Sequence, residues 1–299
     1  MTDTVEHMWD DISRAIEKAC GQRFAIRHRR PVGGGCINAG YRLEGDDQRY
    51  FIKLNSADKL DMFAAEAEGL ADMAAAHAVR VPEPVCWGTA GDRSFLVMEY
   101  IEFGGRVKNA SSRLGEQLAS MHRKTSGTYG WHRDNTIGST PQINTVSNNW
   151  ASFWRQHRLG LQLELLAQKG IGGSLQQKGQ KLLADLNVFF GEHKPEASLL
   201  HGDLWGGNQA VDAKGNPVIF DPAVYYGDRE ADIAMTELFG GFPAAFYDAY
   251  NTAWPLDSGY SVRKTLYNLY HILNHANLFG GGYAVQAEGM MDRLLAELH

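Results

Sequence analysis

The segment that opens at residue 201 constrains this 299-residue chain more than any other. It begins His201-Gly202-Asp203-Leu204-Trp205-Gly206-Gly207-Asn208 and closes on Phe220-Asp221-Pro222. Residues 209–211 and 217–220 are short, mostly apolar runs, and Asp212-Ala213-Lys214-Gly215-Asn216 between them is rich in turn formers. Two such runs joined by such a turn predict a hairpin that returns the chain to its start. Asn208 and Asp221 then become neighbours. Any fold adopted by this chain has to accommodate a polar loop and a strand end that carry these side chains.

The spacing also assigns chemistry. An Asp, an Asn five residues later and a second Asp on a strand end form the base and metal arrangement of a kinase-type catalytic loop. Asp203 would accept the proton of a substrate hydroxyl. Asn208 and Asp221 would hold magnesium on a nucleotide, since magnesium favours one or two carboxylates with phosphate and water in tight octahedral geometry. Taken singly, each residue has a plainer role, Asp203 as a helix cap and Asp221-Pro222 as the start of a turn. Their joint spacing favours the chemical reading.

The chain is long enough for one large domain or two lobes with a sizeable core. Its net charge of −6, without a run of five like charges, argues against a nucleic-acid binder. Arg27-His28-Arg29-Arg30 is the nearest approach to a basic cluster. No apolar run is long enough to cross a bilayer and the N-terminus does not read as a signal peptide, so no membrane association is expected. Three cysteines without paired spacing suit a reducing cytoplasm.

Periodicity predicts an opening helix over 4–20, strands at 24–28, 40–43 and 50–54, a helix over 58–77, and strands at 84–88 and 94–101. Phe103-Gly104-Gly105 reads as a hinge. Beyond it the pattern is mainly helical, at 112–123, 149–168, 174–190, 229–239, 243–253, 261–278 and 284–298, with a long connector at 126–148 that holds no obvious motif. The expected architecture is α+β and two-lobed. A small antiparallel-sheet lobe with one main helix spans 1–102, and a larger, mainly helical lobe spans 103–299.

Other parts of a nucleotide site are present. Gly33-Gly34-Gly35 lies between two strands, where glycines let backbone N–H groups approach phosphate. It lacks the spacing of the known phosphate loops, so a plain turn remains an alternative. Lys53 sits on a short apolar strand as a candidate phosphate ligand. Its partner would come from the 58–77 helix. Glu66 shares a face with Met62, Phe63, Leu70 and Met73, whereas Glu68 points roughly 200° away. A carboxylate on an apolar face needs a charged partner, which selects Glu66. Glu99, Tyr100 and Ile101 lead into the hinge and are candidates to meet adenine through main-chain atoms.

These residues, with Phe220-Asp221-Pro222-Ala223-Val224-Tyr225-Tyr226-Gly227-Asp228-Arg229-Glu230, resemble the fructosamine kinase (ketosamine-3-kinase) family, a branch of the protein-kinase-like folds near the aminoglycoside phosphotransferases and choline kinases. The resemblance runs from Gly33-Gly34-Gly35-Cys36-Ile37 to Leu273-Asn274-His275-Ala276-Asn277-Leu278-Phe279-Gly280-Gly281-Gly282-Tyr283. It implies ATP-dependent, magnesium-assisted phosphorylation of the sugar 3-hydroxyl of a ketoamine or glycated lysine, after which the adduct breaks down and frees the amine. It implies Asp203 as proton acceptor, Asn208 and Asp221 as metal ligands, Lys53 and Glu66 as the phosphate-anchoring pair, and Glu99 to Ile101 as the adenine-contacting hinge. A kinase for an aminoglycoside, choline or sugar alcohol is the nearest alternative, and a catalytically silent nucleotide-binding regulator a more distant one.

Trp205 would either cover the sugar or pack the loop. His271 and His275, four apart on a helix, join Asn274 as either a polar patch lining the substrate cleft or a hydrogen-bonded core face. Cys36 lies in the expected phosphate loop, where it would be either a reactive thiol open to oxidation or an inert small side chain. A monomer and a homodimer are both compatible with the sequence.

Overall fold

A computed structural model describes residues 2–33, 37–105 and 107–298. Gly34, Gly35 and Cys36 lie outside the described residues, and with them the expected phosphate loop apart from Gly33. The chain divides into two compact units, Met1–Val107 with Ala210–Asp221, and Lys108–Gln209 with Pro222–His299.

The first unit is built on α1 (Thr2–Cys20), β1 (His28–Val32), β2 (Ala39–Glu44), β3 (Arg49–Ser56), α2 (Leu60–Ala74), β4 (Pro84–Ala90) and β5 (Arg93–Glu99). The strands form one antiparallel sheet in the order β1-β2-β3-β5-β4. Side chains alternate across a strand, so each residue's face is fixed by parity. Leu43, Ile52, Leu54, Phe95 and Val97 pack one face against Trp9, Ile12 and Ile16 of α1. The opposite face carries Lys53, which pairs across the ladder with Gly40 and Leu96.

The first strand begins at His28, not at Phe24. Phe24 is buried in the α1 core, tied by its N–H to Glu17 and by its carbonyl to Ser13. The basic run His28-Arg29-Arg30 with Pro31 and Val32 is instead the exposed edge strand. Charge and proline at an edge discourage further strand pairing.

In the second unit α3 (Ala110–His122) is followed by β6 (Thr125–Ser126), the hairpin β7 (Asn135–Ile137) and β8 (Thr140–Gln142), α4 (Trp150–Trp154), α5 (Leu161–Gln168), α6 (Ser174–Ala184) and β9 (Ala197–Leu200). The expected continuous helix over 149–168 is interrupted by a π turn at Arg155–Gly160. The 174–190 helix stops at Ala184 and gives way to a 3-10 turn, Leu186–Phe189. The 126–148 connector is partly ordered strand, and β9, wholly buried, had no counterpart among the expected strands.

The expected hairpin forms as β10 (Gln209–Val211) and β11 (Pro217–Ile219). Its contacts assign it to the first unit. Gly104 N–H donates to Val211 O and Ala213 N–H to Glu102 O, Ile219 N–H reaches Arg80 O, and Phe103 stacks on Phe220 at 5.4 Å. The chain then returns to the second unit through β12 (Tyr225–Gly227), which pairs with β9, and ends in α7 (Glu230–Leu238), α8 (Ala244–Ala253), α9 (Tyr260–Phe279) and α10 (Tyr283–Ala296). No helix among the described residues is long and apolar enough to cross a membrane.

Candidate active site

In the first unit, alternation on β3 turns Lys53 away from α1, where it is 6% exposed. Its Nζ donates to Glu66 Oε1 at 2.5 Å and to Asp221 Oδ1 at 2.7 Å. Burial alone would lower the lysine's pKa, but the two carboxylates outweigh it and hold Lys53 charged, above its ordinary value. Glu66 reaches it from the apolar face of α2, next to buried Phe63, Leu70 and Met73. Asp221 has φ +57°, a left-handed conformation that Asp tolerates better than most side chains, and its own side chain is 45% exposed. Such backbone values cluster at ligand-binding sites.

The hinge candidates lie at the end of β5. Glu99 donates its N–H to Glu83 O at 2.8 Å and directs its carboxylate to Arg80, while Ile101 is buried. Tyr100 accepts through its hydroxyl from Arg42 at 3.3 Å. Gly33 directly follows β1, with nothing within 4 Å of where a Cβ would stand.

In the second unit, Asp203 is half-buried and its loop is held by backbone bonds. Asn208 Nδ2 donates to the Asp203 carbonyl at 2.9 Å and to Asp203 Oδ2 at 3.2 Å. This fixes the Asn208 amide and leaves Oδ1 as its acceptor. An amide oxygen and a carboxylate, Asn208 and Asp221, are ligands of the kind a hard divalent cation such as magnesium takes.

Behind the loop stands Asp232 on α7, which sequence reasoning did not single out. It is 1% exposed and accepts from His201 N–H at 2.7 Å, Gly202 N–H at 2.8 Å and His122 Nε2 at 3.1 Å. Burial pushes its pKa up, but the His122 contact and the backbone amides prevail and hold it below the ordinary carboxylate value. Gly202 has φ +82°, and a Cβ there would come within 2.0 Å of Ala223 O, so only glycine fits. Ala223 N–H in turn donates to His201 O at 2.8 Å.

Three amides from the connector brace the same segment. Gln142 donates to Ala223 O, Asn135 to Val224 O, and Asn144 to Asn135 Oδ1. Arg158, buried on the π turn, ties Asn144 and Ile143 O from behind. A polar, Asn-rich stretch between helices was the available signal, but composition alone does not distinguish a buried amide from a solvated one.

The candidate acceptor residues separate into two groups. Trp205 is 38% exposed and meets Phe239 edge-on at 6.1 Å, and Phe239 lies 4.9 Å from the half-buried His275. A Cβ on Gly207 would strike the Trp205 ring at 2.2 Å, so this glycine fixes where the indole lies. His271 and Asn274 are instead buried on α9. Burial pushes the His271 pKa down to about 3, and Asn274 bonds Gln162 and Ile137 O. Among the described residues, His271 and His275 belong to no grouping of three metal-ligating side chains. Among the described residues the grouping of metal-ligating type is His193, Asp228 and Glu230, and Arg263 already forks onto Glu230.

The fold is protein-kinase-like. A choline kinase from Streptococcus pneumoniae superimposes with TM-score 0.66 at 13% identity, covering 97% of this chain and 99% of that one. The family is fixed more closely. The fructosamine kinase profile matches residues 8–297, and the chain belongs to that family. A probable ketoamine kinase of Synechocystis is 49% identical over 288 residues, 96% of this chain and 97% of that protein. The chloroplastic protein-ribulosamine 3-kinase of Arabidopsis thaliana is 45% identical over 283 residues, 93% of this chain and 86% of that protein. A solved structure named for a fructosamine-3-kinase, from Haemophilus somnus, superimposes with TM-score 0.89 at 30% identity over 97% of this chain and 99% of that one.

Proposed function

We propose that this protein is an ATP-dependent ketosamine 3-kinase, phosphorylating the sugar 3-hydroxyl of fructosyl- or ribulosyl-amines. The observation that carries the nucleotide half of this reading is the buried Lys53, held at once by Glu66 and Asp221. A lysine so placed keeps its charge and its position, and both are needed to receive a triphosphate.

Phosphoryl transfer asks little covalent chemistry of the protein; position and charge dominate. Lys53 would bind phosphate oxygens. Asn208 Oδ1 and Asp221 would hold magnesium, which supplies charge neutralisation on the phosphates when bound. Asp203 would align the sugar hydroxyl and take its proton late, as the hydroxyl oxygen bonds to the terminal phosphorus and ADP departs. Trp205, exposed beside Phe239 and His275, is the acceptor-side ring that best fits a sugar face. The free thiols of Cys20 and Cys86 suit a reducing compartment such as the cytoplasm.

The test is a panel of acceptors with ATP and magnesium: fructosyl-lysine, ribulosyl-lysine, an aminoglycoside and choline. Mass gain of one phosphate on a ketoamine, and on neither of the other two, is the expected result. Transfer to the aminoglycoside or choline alone would replace this reading with another kinase of the same fold.

A further inference from the structure

Trp205 begins a run of aromatic side chains that leads away from the catalytic loop within the second unit. Its ring meets Phe239 at 6.1 Å, and Phe239 meets His275 at 4.9 Å. His275 in turn meets Tyr283 at 5.2 Å and Phe279 at 5.6 Å. Phe279 is the last residue of α9 and is 57% exposed. The helix closes at Gly280, φ +64°, whose N–H donates to Ala276 O at 3.0 Å. The turn that follows starts α10 at Tyr283 and so sets that ring against His275.

A single exposed phenylalanine needs no explanation, because much of any protein surface is apolar. A contiguous row of half-buried and exposed rings that starts beside the proposed base is different, since such patches mark contact surfaces. His275 adds a polar point to the row. Its Nδ1 bonds His271 O at 2.8 Å. A carbonyl only accepts, so Nδ1 carries the hydrogen and Nε2 is left as an acceptor. Burial lowers the ring's pKa, which keeps it neutral at pH 7. A neutral acceptor among aromatic faces suits a group that is cationic, donates N–H and continues into an apolar chain. The amine half of a ketoamine has all three properties. Its nitrogen is a secondary ammonium bonded to the first sugar carbon, two carbons from the one whose hydroxyl Asp203 would align. In a glycated lysine that nitrogen continues into a stem of methylenes and then into peptide.

We propose that the rings from Phe239 through His275 to Phe279 and Tyr283 form a subsite for the amine half of the acceptor. The ammonium lies near Phe239 and His275 Nε2, and the lysine stem lies on Phe279 and Tyr283, with the sugar left to Trp205. The proposal rests on the ketoamine reading given above and deepens it. It makes the preferred acceptor a lysine adduct within a peptide, in place of the adduct of a short amine.

The test compares kcat/KM, with ATP and magnesium, for two acceptors: the ribulose adduct of methylamine, and ribulosyl-lysine flanked by glycines in a short peptide. Wild type is expected to favour the peptide about tenfold, chiefly through KM, because the stem buries apolar surface that methylamine lacks. Phe279→Ala and Tyr283→Ala should each cut that preference to about threefold or less, and Phe279→Tyr, which keeps a ring, should retain it. The ratio of the two acceptors does not depend on how much of a variant folds. A wild-type ratio near one, or a ratio that stays at the wild-type value in either alanine variant, overturns the proposal while leaving the ketoamine reading intact. Transfer by wild type to neither adduct defeats the ketoamine reading, and this proposal with it.

Discussion

The two halves of the proposed chemistry are held in different ways. In the first unit the functional group is a buried cation clamped directly by the carboxylates of Glu66 and Asp221. In the second, the functional carboxylate of Asp203 stands on a loop whose backbone is gripped from behind by Asp232 and braced through Ala223. The first arrangement makes position and charge one property, because removing a partner leaves an unpaired buried charge. The second separates them. Asp232, His122 and Gly202 carry the loop, and Asp203 is the base we propose. Substitutions should therefore uncouple stability from turnover in the catalytic loop and fail to do so at Lys53.

The largest effect is expected at Asp203. Asp203→Asn keeps the shape of the side chain and loses the base, so turnover should fall about 10³-fold, while ATP affinity by calorimetry stays within twofold and the melting temperature is nearly unchanged. Turnover close to wild type would remove the base role.

Next comes the support behind it. Asp232→Ala would leave two backbone N–H groups and His122 unsatisfied in the interior, and about 3 kcal/mol of stability should be lost in urea unfolding. The pH dependence follows from the depressed pKa of Asp232. Its contribution is complete above the ordinary carboxylate value of about 4 and is lost as pH falls through the lower folded value. Wild type should therefore lose stability on acidification more steeply than Asp232→Ala. Parallel acid profiles would show that Asp232 is not the clamp.

The direct clamp gives a sharper contrast. Lys53→Met should weaken ATP binding and destabilise the fold together, and Lys53→Met with Glu66→Leu should recover part of the stability but none of the binding. If the single variant loses binding with no change in unfolding, the two regions do not differ as described.

The smallest effect is expected at His193. Burial lowers its pKa, but the hydrogen bond to Asp228, at 2.7 Å, together with the charges of Asp228 and Glu230, outweighs this and raises it. Its stabilisation is full below the ordinary histidine value of about 6.5 and fades as pH rises through the raised one. Thermal melts at pH 6 and pH 8.5 should show wild type losing more on alkalinisation than His193→Gln.

How far the sequence revealed the molecule follows the same division. Lys53, Glu66 and the 209–220 hairpin could be read because local patterns specify them: strand parity, helix face and turn composition. The choice of Glu66 over Glu68 needed only the helical period, and the salt bridge agrees with it. Asp232 could not be read, because its role depends on α7 delivering a buried carboxylate to a loop about thirty residues earlier in the chain. The same holds for Asn135 and Gln142, which donate to the segment after Asp221, and for Asn144, which reaches that segment only through Asn135. The edge strand was displaced from Phe24 to His28 because a buried aromatic and an exposed basic run both suit a strand by propensity, and only packing against α1 decides between them. His271 and His275 share a face of α9, but His271 and Asn274 are buried while His275, near the end of the helix, is half-buried, which helical spacing alone does not decide.

The most direct measurement is the position of the transferred phosphate. Ribulosyl-lysine treated with the protein, ATP and magnesium, and followed by phosphorus–proton correlation NMR, should give a product with the phosphate on the third sugar carbon, and the Asp203→Asn protein should give none. A phosphate on another hydroxyl, or ATP consumed with the ketoamine untouched, would contradict the account.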